Sequence, residues 1–152
     1  MVFLDPTVDM VFKRLFGVQE HKHILICFLN GILEKQPGEL IVDVNITDPN
    51  NIPERDRDKY SAVDVKCVDE QQKHYIVEMQ VMDQKDYDKR CIYYSSLGVG
   101  RQLSKAQPYT ELNPVIFVGI LCFDLCDGDG YLSHHHILNK ETNEHRLKML
   151  EF

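Results

Sequence analysis

Two apolar segments, each enclosing a charge, constrain this chain more than anything else in it. The run Ser61-Ala-Val-Asp64-Val-Lys-Cys-Val-Asp-Glu-Gln-Gln-Lys-His-Tyr-Ile-Val-Glu78-Met-Gln80 reads as two β-strands joined by a polar turn. Val63, Val65, Cys67 and Val68 surround Asp64, and Tyr75, Ile76, Val77, Met79 and Val81 surround Glu78. A charge inside an apolar strand is costly to bury unless it is paired or bound to a cation. Glu78 and Gln80 are two residues apart and share one strand face. In a hairpin, Asp64 can lie near that face too. Two carboxylates and a neutral oxygen donor converging on a sheet suit a hard dication such as Mg²⁺. The plainer reading makes these the solvent-side residues of an antiparallel sheet, alternating with core residues.

The remaining pattern is that of mixed α and β structure. Asp5-Pro6-Thr7 opens a helix with an apolar face of Val8, Met10, Val11, Phe12, Leu15 and Phe16, ended by Gly17. A second helix runs from about Glu20 to Glu34, with Ile24, Leu25, Cys27, Phe28, Leu29, Ile32 and Leu33 inward, and Pro37-Gly38 breaks it. A strand follows around Leu40 to Thr47, then a polar loop from Asp48 to Lys59 in which Asp56 and Asp58 read as solvated. Beyond the hairpin, Asp83 to Lys105 reads as a long helix, in which Gly98 and Gly100 weaken it or mark a close approach. Val115 to Leu125 is an apolar strand, Asp127-Gly-Asp-Gly130 a tight turn and Tyr131 to Leu138 a further strand. Lys140 to Phe152 is ambiguous.

With 152 residues, 43% hydrophobic and 27% charged, the chain has the composition of one globular domain, residues 1–152. The longest apolar run, Pro114 to Phe123, is too short to span a membrane, and the N-terminus lacks the pattern of a signal peptide. Five cysteines, at 27, 67, 91, 122 and 126, form no Cys-x-x-Cys and read as reduced core residues of a cytoplasmic protein. A net charge of −7 argues against broad non-specific nucleic-acid binding. It does not argue against a nuclease, whose metal-binding acids add to the negative count.

The element order, helix, helix, three strands, long helix and two or three strands, resembles the PD-(D/E)XK nuclease core. The chain is further similar to the recombination-promoting nuclease (Rpn) family, whose members are also described as transposases. The residues that carry this are Asp9-Met-Val-Phe-Lys-Arg-Leu-Phe-Gly17, Phe28-Leu-Asn-Gly-Ile-Leu33, Val63-Asp-Val65, Ile76-Val-Glu-Met-Gln80, Arg90-Cys-Ile-Tyr-Tyr94 and Tyr109-Thr-Glu-Leu-Asn-Pro-Val-Ile116. They cover roughly residues 5 to 138 in the family's order. The resemblance implies an α/β (α+β) restriction-endonuclease-like fold, a central mixed sheet flanked by helices in the order α-α-β-β-β-α-β-β.

The resemblance also implies a function: a metal-dependent DNA endonuclease of the recombination-promoting, transposase-like type. Mg²⁺ or Mn²⁺ is then held by Asp64, Glu78 and the backbone carbonyl of Met79, with Asp9 completing the site. Gln80 stands where many relatives carry Lys, and orients water or phosphate by hydrogen bonding without supplying charge or a strong base. Lys13, Arg90 and Tyr94 are the candidate DNA contacts. DNA is the expected partner, a homo-oligomer is compatible, and no membrane is involved.

This sequence departs from the family pattern in three ways. Val63 replaces the Pro before the first acid, Gln80 replaces the Lys, and the end at Met149-Leu-Glu-Phe152 reads as if a family C-terminal extension were missing. A second class of function is therefore open: a catalytically silent nuclease-fold domain acting in oligomerisation or regulation. A third is a zinc module built on His134-His135-His136 with His145, Cys122 or Cys126. Adjacent strand residues face opposite sides, so at most His134 and His136 act together, and an exposed polar strand accounts better for the run. Asp127-Gly-Asp-Gly130 lacks the ligand run and closing Glu of a calcium loop, and Gly98-Val-Gly100-Arg101 lacks the Gly-Lys-Ser/Thr of a phosphate loop.

Overall fold

Alternating side chains divide the central sheet into two apolar faces, and each face takes different helices. The structure, a computed structural model, describes residues 3–51, 61–126 and 130–152. Asp56, Asp58 and most of the Asp127-Gly-Asp-Gly130 turn lie outside the described residues. Within them run α1 (Asp9–Phe16), α2 (Lys22–Ile32), β1 (Val44–Ile46), β2 (Asn50–Asn51), β3 (Ser61–Ala62), β4 (Val65–Asp69), β5 (His74–Gln80), α3 (Tyr87–Gly100), β6 (Val115–Leu121) and β7 (Leu150–Glu151). Five strands form one mixed sheet in the order β1-β4-β5-β6-β7, and β2 and β3 form a separate antiparallel ribbon. The expected mixed sheet flanked by helices is present.

The hairpin of β4 and β5 is antiparallel, with Val65 opposite Val77. β5 and β6 are parallel, joined through α3, as a crossover between parallel strands requires. Tyr75 and Val77 of β5, with Ile116 and Val118 of β6, pack against Phe12 of α1 and Leu25 and Leu29 of α2. Ile76 of β5, with Val115 and Phe117 of β6, packs against Tyr87, Cys91 and Tyr94 of α3. Full burial of side chains of this size contributes about 1.5–3 kcal/mol each. Gly98 marks a close approach: a Cβ there would lie 3.3 Å from Val115 Cγ1, whereas one at Gly100 would meet nothing.

Asp69 holds the hairpin turn. It is 4% exposed and accepts hydrogen bonds from the amides of Gln71 and Lys73 and, at 2.9 Å, from the Tyr75 hydroxyl.

Several expected boundaries shift for identifiable reasons. The strand expected over Leu40–Thr47 shrinks to β1 because the Asn30 side chain takes both main-chain groups of Ile41, at 2.8 and 2.9 Å, in place of a strand partner. The second helix starts later, after a 3-10 turn at Gln19–His21. The long helix is confined to Tyr87–Gly100 and the apolar strand to Val115–Leu121.

Tyr131–Leu138 is not a strand. β7 occupies the free edge of β6, and the earlier segment meets β7 through a single bridge, His136 opposite Glu151. The cysteine expectation holds only in part: all five are free, but only Cys67 and Cys91 are buried, and Cys27, Cys122 and Cys126 are exposed.

Candidate active site

α1 carries Asp9 in its first turn and Lys13 and Arg14 in its last, the charge order that suits the helix dipole. Lys13 follows Asp9 by one turn, and its ammonium lies 2.7 Å from Asp9 Oδ1. The same ammonium lies 3.2 Å from Asp64 Oδ1. One lysine thus joins the opening helix to the first acid of the hairpin. Burial opposes the charge on Lys13, but Asp9 and Asp64 outweigh it and hold the ammonium above its ordinary pKa. A cleft of 320 Å³ opens here, lined by Met10, Lys13, Arg14, Gly17, Val18, Pro49 and Asp64.

Asp64 sits in a bend one residue before β4, not inside the strand. Its other oxygen, Oδ2, accepts the Met79 amide at 2.9 Å. His74 N–H bonds to Pro114 O, and Cys122 N–H to Gln80 O, so the even-numbered residues of β5 turn their main-chain groups to β6. Met79 therefore turns its N–H and C=O to the opposite edge, towards Asp64.

Glu78 projects from β5 towards α3 and is only 3% exposed. Arg90 of α3 meets it, Nη2 to Oε2, at 3.0 Å. The other guanidinium nitrogen donates to Gln84 Oε1 at 2.6 Å and to Gln80 Oε1 at 3.3 Å. The Gln80 amide nitrogen donates to Met82 O. Tyr94, buried one turn beyond, sets its ring 5.7 Å from the guanidinium carbon. Burial pushes the Glu78 carboxyl up to about 7: it outweighs Arg90, Asp64 adds to the rise, and Lys13 opposes it. A buried acid held short of full ionisation beside a second acid is an environment that a bound dication would relieve. The residues present fit a hard divalent ion.

Tyr87 was not anticipated. Its buried hydroxyl has only the Cys91 thiol beside it as a weak partner among the described residues, and it rests over Gly119, the residue opposite Glu78 in the β5–β6 register. A Cβ on Gly119 would overlap that oxygen. The pairing of Arg90 with Glu78 had no signal in the sequence either, because it depends on where the crossover lays α3.

Asp64, Glu78, Gln80, Met79, Arg90 and Tyr94 are thus contiguous, and Asp9 reaches them through Lys13. Lys13 and Arg90, expected at DNA, are both engaged with the carboxylates. Among the described residues no helix is long and apolar enough to cross a membrane.

Comparison with known proteins is consistent with this architecture. No curated protein and no solved structure matches the chain significantly. The sequence model described as PD-(D/E)XK nuclease family transposase matches residues 6–152. With a match over essentially its whole length, the chain belongs to the PD-(D/E)XK nuclease family transposases.

Proposed function

We propose that the chain is a metal-dependent DNA endonuclease, with Mg²⁺ or Mn²⁺ as cofactor, acting as a single domain over residues 1–152 in a recombination-promoting role in the cytoplasm. The observation that carries this reading is Glu78, a carboxyl 3% exposed, placed beside Asp64 in a member of a nuclease family. Asp64, Glu78 and the Met79 carbonyl would hold the ion, with Asp9 as a further acid behind Lys13. When bound, such an ion supplies Lewis-acid polarisation of a phosphate and a lowered pKa for a coordinated water.

The chain's own side chains have separable roles. Glu78 must lose its proton to act as a ligand, and its raised pKa makes that loss titrate near neutrality. Gln80, on the same face and within reach of Arg90, orients water or the scissile phosphate by hydrogen bonding. Arg90 and Lys13 each lie against a carboxylate. Once that carboxylate is neutralised by an ion, both cations become available to phosphate oxygens. Tyr94 holds the guanidinium in place through its ring.

One observation favours a second reading, a catalytically silent domain. Lys13 and Arg90 already lie against Asp64 and Glu78, so each acid has a cation of the protein itself where an ion would bind. Cleavage of supercoiled plasmid with Mg²⁺ or Mn²⁺, run beside Glu78→Ala, separates the two. Nicking or linearisation by the parent alone supports the nuclease. No cleavage by either favours the silent domain, and equal cleavage by both points to a contaminant or to a different site.

A further inference from the structure

Far from Asp64 and Glu78, the segment after β6 brings together three side chains that can bind a metal. His135 and Phe152 exchange both main-chain hydrogen bonds, at 2.8 Å from His135 N–H and 3.1 Å from Phe152 N–H. Their neighbours His136 and Glu151 are then a non-hydrogen-bonded antiparallel pair, the kind whose side chains stand closest.

Asn139 next reverses the chain. Its Oδ1 accepts the amides of Glu141 and Thr142, both at 2.9 Å, and its own N–H reaches Glu144 O. Asn143 takes a φ of 56° in that turn. The returning chain lays the His145 ring against the His136 ring, with centroids 4.5 Å apart. One ligand atom from each of His136, His145 and Glu151 lies within 4.8 Å of the others.

The His145 ring supplies an independent observation. Its Nε2 is buried and has no hydrogen-bond partner among the described residues. Buried polar atoms are rarely left so, because the lost solvation is not repaid. Two imidazoles and a carboxylate are a donor set for a borderline first-row dication. Mg²⁺, which takes oxygen ligands, is excluded by the same donors. Zn²⁺ bonds of about 2.1 Å place tetrahedral ligands roughly 3.4 Å apart, so side-chain rotations of about an ångström close the set. A water would complete a tetrahedral set. Cys126, the sulfur candidate, instead meets His135, at 3.8 Å.

We propose that His136, His145 and Glu151 form a Zn²⁺ site that pins the segment between β6 and β7 to the sheet edge. It is independent of the nuclease reading. Leu150 and Phe152 pack with α3, on the Glu78 face, so Glu151 between them turns to the other face, and β6 separates β7 from β5.

The test is titration of Zn²⁺ into chelator-treated, dialysed full chain, followed by calorimetry and thermal melting, with Co²⁺ absorption as a report of tetrahedral coordination. The parent should bind Zn²⁺ and melt several degrees higher. His145→Ala and Glu151→Gln should each weaken binding at least tenfold while retaining the parent's circular dichroism. His136→Asn repeats the test if either fails to fold. Glu78→Gln should bind Zn²⁺ at this site as the parent does, and Mg²⁺ should not compete. Absence of Zn²⁺ binding overturns the proposal, as does binding indifferent to all three ligand substitutions or abolished by Glu78→Gln.

Discussion

Lys13 holds its ammonium 3.2 Å from Asp64 Oδ1, on the lone pairs that a bound cation would use. Replacing it with methionine keeps the apolar stem and removes the competitor. Lys13→Met should tighten Mn²⁺ binding severalfold in a calorimetric titration. The side chain is 42% exposed, so the stability change should stay within about 1 kcal/mol. Weaker Mn²⁺ binding would mean that the lysine supports the site instead of competing for it.

Glu78 gives the chain a pH dependence opposite to that of ordinary paired acids. Its folded pKa, about 7, lies above the ordinary 4.5, so the folded state binds more protons between those values. Stability from this group is complete below 4.5 and is lost as pH rises through 7. The loss is on the order of 3 kcal/mol. In chelator, Glu78→Gln should remove that slope, so denaturation curves of parent and variant should diverge from pH 5 to pH 8. His74, whose pKa burial lowers, slopes the other way in both proteins and cancels in the difference. Mn²⁺ affinity of the parent should rise through the same window and flatten above it.

Arg90 is the partner that makes a charged Glu78 tolerable. Arg90→Ala should cost roughly 3–5 kcal/mol at pH 8, where the carboxylate is left buried and unpaired. At pH 5.5, with Glu78 protonated, the cost should shrink to that of lost hydrogen bonds and the Tyr94 contact. Urea denaturation at the two pH values measures the difference. A cost independent of pH would dissociate Arg90 from the Glu78 charge.

Asp69 has a structural task only. Asp69→Ala would leave two turn amides and the Tyr75 hydroxyl without their acceptor. Destabilisation of about 3 kcal/mol is expected, against about 1 for Tyr75→Phe, by urea denaturation at pH 7. Equal costs would show that the turn amides find water instead.

Much of this site was legible because it is local. Acids inside apolar runs at 64 and 78 marked the hairpin, and period-two spacing put Glu78 and Gln80 on one face. The breaks at Gly17 and Pro37-Gly38 bounded the first two helices, the second of which ends a little earlier, at Ile32. What escaped depended on contacts between distant elements. Nothing near Arg90 says that its partner is Glu78, and nothing near Lys13 says that it answers to Asp64. Asp69 drew no separate reading, because its hydroxyl partner Tyr75 lies across the hairpin. The strand expected at Tyr131–Leu138 failed because β7 takes the β6 edge, a contest between segments that neither announces alone.

The hairpin and the first turn of α3 supply Asp64, Glu78, Gln80 and Arg90 from one continuous stretch of chain. Lys13 reaches Asp64 only after a loop of about fifty residues closes, an entropic cost that short-range contacts do not carry. On loop-closure entropy alone, the contacts among the acids and Arg90 cost less to form than the one between α1 and Asp64. A transient departure of α1 would free Asp64 while leaving Glu78 paired. Such an opening would have to withdraw Phe12, 1% exposed, from the core, so the lysine that covers the first acid is held in place by an apolar anchor one residue before it.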